Sequence, residues 1–120
     1  MPRCAVPAAG EPAASRGDLP RRWEQLAERY PCVVAAYDSL SEACRHAGPL
    51  DARTIALTKL AVSIGRGAGR TVHAHCKKAL RAGVEPDALR QVALLALPTI
   101  GLPAALDALR WVEESIREAR

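Results

Sequence analysis

Apolar residues recur along this chain at spacings of three and four, the period of an α-helix with one buried face. Pro20–Tyr30 carries Trp23, Leu26 and Tyr30 at that spacing, with Pro20 near the first turn, where its missing N–H costs nothing. Pro31 restarts the chain, and Val33, Val34, Tyr37, Leu40 and Cys44 predict a second helix to His46, ended by Gly48-Pro49. Asp51 is the expected N-cap of a third helix that reaches Arg66, with Ile55, Leu57, Leu60, Ala61 and Ile64 on its apolar face. Gly65, Gly67 and Gly69 then break the pattern. A fourth helix is expected from Thr71 to the Gly83 cap, with Val72, His75, Cys76, Ala79 and Leu80 as its stripe. His73, Lys77, Lys78 and Arg81 fall largely off that stripe. Pro86 opens a fifth helix with Leu89, Val92, Ala93, Ala96 and Leu97 on one face. Pro98 to Pro103 interrupts, and a last helix places Leu106, Leu109, Val112 and Ile116 inward. No segment alternates with period two, so the fold class is all-α, with five to six helices.

Composition changes this picture little. At 120 residues the chain is expected to hold one helical domain, residues 20–120, after a Pro-, Ala-, Gly- and Ser-rich stretch over 1–19 that reads as a disordered tail. Phe is absent, and Ala and Leu dominate, which favours helices in close approach. The net charge of +4 suits solubility and attraction of a small anion. It comes without the aromatic-studded basic surface of a nucleic-acid binder, so no nucleic acid is expected as partner. No apolar run is long enough to span a membrane, and residues 1–19 lack the apolar core of a secretory leader. Cys4, Cys32, Cys44 and Cys76 form no CxxC pair, and Cys32 and Cys44 on one helix lie about 18 Å apart along its axis. Free thiols and a cytoplasmic location are the simple expectation.

Candidate chemistry gathers between Leu50 and Gly83. The run Gly65-Arg66-Gly67-Ala68-Gly69-Arg70 is no dinucleotide fingerprint, because a helix precedes it and Arg70 stands where the last glycine belongs. It is no P-loop either, since no Lys-Ser/Thr follows. It reads as a tight helix corner or, with Arg66 and Arg70 beside open helix N–H groups, as a seat for a carboxylate or phosphate. His75 is either a satisfied core residue or a proton-transfer group. Cys76 is either a small core residue or a lone thiol; neighbours on a helix point about 100° apart, so the two are no automatic dyad. His73, Cys76 and His46 match no zinc spacing, and no metal or cofactor is expected.

The pieces GPLDARTIALTKLAVSI, the glycine break, VHAHCKKALRAGVEPDALRQVALLAL and GLPAALDAL give the chain a resemblance to a known family. From Pro31 to Val112 it resembles the carboxymuconolactone decarboxylase and alkylhydroperoxidase D-like family. The resemblance implies a compact all-helical bundle that assembles as a homo-trimer or homo-hexamer. The family's peroxidase branch is similar in carrying a Glu before the break, a CxxC at it and a His beyond. Here the Glu place is Ala56, the Cys places are Ala68 and Thr71, the place of a His between them is Arg70, and only the last His is kept, as His75.

A dithiol peroxidase needs one thiolate to attack and a second to resolve, and Ala68 and Thr71 supply neither. The expected function is therefore a decarboxylase-like protein that acts on or binds a small carboxylate or carbonyl compound. His75 is its catalytic candidate, with Arg66, Arg70 and Thr71 to bind substrate. The alternatives are a non-catalytic oligomeric binding or scaffold module, and a residual alkylhydroperoxidase or peroxiredoxin-type antioxidant activity through Cys76.

Overall fold

The computed structural model describes residues 21–120, so the expected tail over 1–19 lies outside the described residues. Among them every regular element is helical: α1 (Arg21–Arg29), α2 (Pro31–Arg45), α3 (Ala52–Arg66), α4 (Gly69–Arg81), α5 (Pro86–Leu95), the one-turn α6 (Leu97–Ile100) and α7 (Leu102–Glu118). None is long and apolar enough to cross a membrane. The chain divides into two compact units, one ending at Pro49 and one spanning Leu50–Arg120.

In the first unit α1 and α2 meet at Tyr30, whose N–H donates to the Leu26 carbonyl at 2.8 Å before Pro31 opens α2. Trp23 of α1 packs edge-on against Tyr37 of α2, ring centroids 5.0 Å apart. Only Val34 of α2 is fully buried. Val33, Tyr37 and Leu40, which the spacing places on the apolar face, remain exposed. Cys44 is free, whereas Cys32 is disulfide-bonded, which corrects the expectation of a free thiol at that position.

The second unit holds the central core. Asp51 caps α3 as expected, its carboxylate accepting the Thr54 N–H at 2.8 Å; hydrogen bonds from the Thr54 side chain and then its backbone hold the Asp51 carboxyl below its ordinary range. Leu60 and Ile64 of α3 pack with Val72, Cys76 and Ala79 of α4, Leu89 and Ala93 of α5, and Ala105, Ala108, Val112 and Ile116 of α7. Full burial of Leu60 and Leu89 contributes about 1.5–3 kcal/mol each. Small side chains occupy many of the contact points: Ala79, Ala93, Ala105 and Ala108 are all 0% exposed, which lets the helix axes come close. This corrects the expected face of the last helix. Leu106 is 54% exposed, and Ala105 and Ala108 are the buried residues beside it.

Charged side chains tie the helices across the surface. Arg53 of α3 pairs with Glu85, and Arg90 of α5 pairs with both Asp87 and Glu113 of α7. Glu85 stands at the N-cap position of α5 without capping it through its side chain.

Candidate functional site

The corner between α3 and α4 begins at Gly67, which adopts the left-handed conformation (φ 79°) and donates its N–H to the Ile64 and Ser63 carbonyls. A side chain there would be strained, so glycine is needed. Gly69 is required for a different reason. A Cβ at that position would lie 2.8 Å from the Trp111 ring, so the indole of α7 rests directly on the first turn of α4. Helix α4 therefore starts two residues earlier than the apolar pattern implies. Arg66, Arg70 and Thr71 are all exposed around this corner.

His75 lies one turn beyond Thr71 on α4 and is half-buried. Its ring has no hydrogen-bond partner among the described residues. Burial pushes its pKa down to about 4, helped by the positive charges of Lys78 and Lys59. Lys78 follows on the same side of α4, three residues on. Lys59 comes from α3, one turn beyond Ala56. Both lysines are half-buried. The structure thus brings two ammonium groups, and neither Arg66 nor Arg70, into the set of charges acting on His75. At neutral pH the imidazole is uncharged, able to accept a proton and unable to act as an imidazolium donor until something compensates the lysines.

A second cluster lies between α4 and α7. The buried Ser115 hydroxyl donates to the Trp111 carbonyl at 2.8 Å and stands 2.8 Å from His73 Nδ1. With the hydroxyl proton directed at Trp111, His73 Nδ1–H is the donor to Ser115 Oγ, a tautomer assigned from the network. The other ring nitrogen, Nε2, is 3.4 Å from Glu114 Oε1. Lys77 and Glu118, 3.0 Å apart, close the same seam.

Cys76 is fully buried beside this seam. Burial pushes its thiol pKa up to about 11, against the opposing effect of a hydrogen bond to Ser115. It is held protonated at neutral pH and away from solvent, so nothing generates a thiolate there.

The structure also has an open apolar recess of about 180 Å³ lined by Ile64, Gly65, Val92, Leu95, Ala96 and Ile100. It contains no titratable group and excludes His75, so it offers shape without acid–base chemistry. Among the described residues no three His, Cys, Asp or Glu side chains gather as a metal site.

Sequence reasoning singled out His75 but missed its two lysines and the role of His73. Lys59 carried a usable signal: it is one of only three charged residues on α3, with Arg53 and Arg66 at the helix ends. His73 carried none, since Ser115 is 42 residues away.

A family model, described as the carboxymuconolactone decarboxylase family, matches residues 31–114. No curated protein and no solved structure gives a significant match.

Proposed function

The chain belongs to the carboxymuconolactone decarboxylase family, and from that premise we propose that it binds a small carboxylate or carbonyl compound beside His75 and acts on it without dithiol redox chemistry. One observation carries this reading. A half-buried imidazole with no hydrogen-bond partner among the described residues is held neutral by its burial and by the positive charges of Lys78 and Lys59. Such a group is poor as core packing and well suited to a ligand that brings negative charge.

In a decarboxylation the bond between the carboxyl carbon and its neighbour breaks. CO2 leaves, and the electron pair stays on the neighbouring carbon, where a conjugated carbonyl spreads it. A proton must then reach that carbon. Lys59 and Lys78 are the groups to hold acid and carbonyl oxygens, and His75 is the group to move the proton. Thr71, one turn earlier on α4, offers a hydroxyl to the far end of the ligand. Arg66 and Arg70 act from solvent, attracting the anion at long range.

The test is an NMR titration of the full chain with small mono- and dicarboxylates, together with measurement of CO2 release from conjugated lactone acids. Binding is expected to perturb Lys59, His75 and Lys78. Lys59→Gln and Lys78→Gln are each expected to weaken it about tenfold, the loss of one charge-assisted contact. His75→Gln is expected to lower turnover about 10²–10⁴-fold while binding persists. Failure of every carboxylate to bind, or turnover indifferent to His75→Gln, overturns the reading.

A second reading, a non-catalytic oligomeric module, has separate support. In the second unit Val62 is 68% exposed, Leu95 60% and Leu102 57%, an apolar load that association would cover. Sedimentation equilibrium distinguishes a trimer or hexamer from a monomer. A stable assembly with no carboxylate binding would favour this second reading.

A further inference from the structure

We propose that the apolar recess between α3 and the α5–α6 corner is a binding site for one compact, uncharged apolar group, a single aromatic ring or a short branched alkyl chain. The site is independent of the chemistry proposed at His75.

The lining selects for absence of charge. Ile64 and Ala96, which contribute to it, are buried members of the central core. Leu95 and Ile100, also in the lining, are 60% and 41% exposed. Between core and solvent the wall therefore stays apolar. Of the lining side chains only Thr99 carries a polar atom, and its hydroxyl already donates to the Leu95 carbonyl at 2.7 Å. A carboxylate or ammonium entering here would give up hydration and meet no opposite charge in return. An apolar group gives up nothing of that kind, and it removes Leu95 and Ile100 from water.

The volume sets the size of the occupant. The recess measures about 180 Å³. An apolar cavity of about 150 Å³ holds one benzene molecule, so one ring fits and a larger fused system would stand out into solvent.

Gly65 is a second, independent observation. Glycine within a helix is less favourable than alanine, so its presence needs a reason. Gly67 has one in its positive φ, and Gly69 has one in the Trp111 ring that lies against it. Gly65 has neither: its φ is not positive, and a Cβ built on it meets nothing within 4 Å. Backbone geometry and packing within the chain do not require glycine there. What Gly65 leaves is room at the α3 wall of the recess, where Ala61, one turn earlier, is also small and exposed.

The experiment uses toluene as probe and benzoate as its charged counterpart with the same ring. Methyl ¹H–¹³C NMR of the full chain follows Ile64, Val92, Leu95 and Ile100. Saturable shifts of these methyls are expected with toluene, with a Kd on the order of 1 mM for a ligand of this size. Benzoate is expected to bind there at least about tenfold more weakly. Gly65→Leu and Ala61→Leu each add a side chain at the α3 wall, and each should weaken toluene binding about tenfold or more. Both positions are exposed and leucine is a good helix former, so urea midpoints near that of the unsubstituted chain keep this loss distinct from unfolding. Lining methyls that ignore toluene, or shifts that survive both substitutions unchanged, overturn the proposal. Benzoate binding there as tightly as toluene overturns the uncharged class. Methyl shifts that follow protein concentration and block toluene overturn it as well, and would assign the recess to a side chain of a second copy.

Discussion

His73 and His75 stand two residues apart on α4, about 200° apart around its axis, and their surroundings are opposite. His73 faces α7 and is bracketed by the Ser115 hydroxyl and the Glu114 carboxylate. His75 is half-buried, has no hydrogen-bonding partner among the described residues, and is held neutral by burial and by the charges of Lys78 and Lys59. One ring closes a seam between helices. The other is left with unmet bonding capacity in a cationic half-buried space. Residue type is the same in both places, so the difference in chemistry comes entirely from what the neighbouring helices present.

The strongest way to break the contrast is at Gly69. Gly69→Ala sets a methyl 2.8 Å from the Trp111 ring, and Trp111 also supplies the carbonyl that anchors Ser115. The indole must shift, disturbing the His73 side. A loss of about 1–3 kcal/mol is expected in urea unfolding, with recovery when Trp111 is reduced in size. An unchanged midpoint in urea would mean that the close approach is not rigid.

The pH dependence of stability sharpens the other side. The folded pKa of His75, about 4, lies below the unfolded value of 6.5. Between those values the unfolded chain binds more protons, so stability is full above 6.5 and falls as pH drops toward 4. A loss on the order of 2 kcal/mol is expected after allowance for partial exposure, and His75→Gln should abolish it. Glu42, Asp51, Glu85, Glu113 and Glu118 have depressed values and lose their contributions at lower pH, as pH falls through their folded values. The His75 window is thus separable, and urea midpoints across the range read it directly.

A smaller effect is expected at the seam. Ser115→Ala removes the acceptor of His73 Nδ1–H between α4 and α7, at a cost of about 1–2 kcal/mol. The His75 titration should not move. If it does, the two sides of α4 are coupled and the contrast fails.

Much of the helical architecture is legible in the sequence because it depends on local signals. Asp51 before an apolar run, Gly67 and Gly83 at helix ends, and Pro31 and Pro86 at helix starts all act within a turn of themselves. What is not legible depends on which helix lies opposite. Leu106 and Ala105 are adjacent in sequence, and spacing favours the larger residue as buried. Close approach of α7 to its neighbours selects the alanine instead. The site follows the same rule. His75 stands out on its helix, but the charges that tune it come from another helix (Lys59) and from a residue off the apolar stripe (Lys78). His73 and Ser115 become partners only through the packing of α4 on α7.

What sets His75 apart is its uncharged state, held by burial, Lys78 and Lys59. Its most direct test is the pH midpoint of the His75 ring signal in the ligand-free full chain, followed by NMR. A midpoint near 4 is expected. A midpoint at the ordinary histidine value of 6.5 would contradict it.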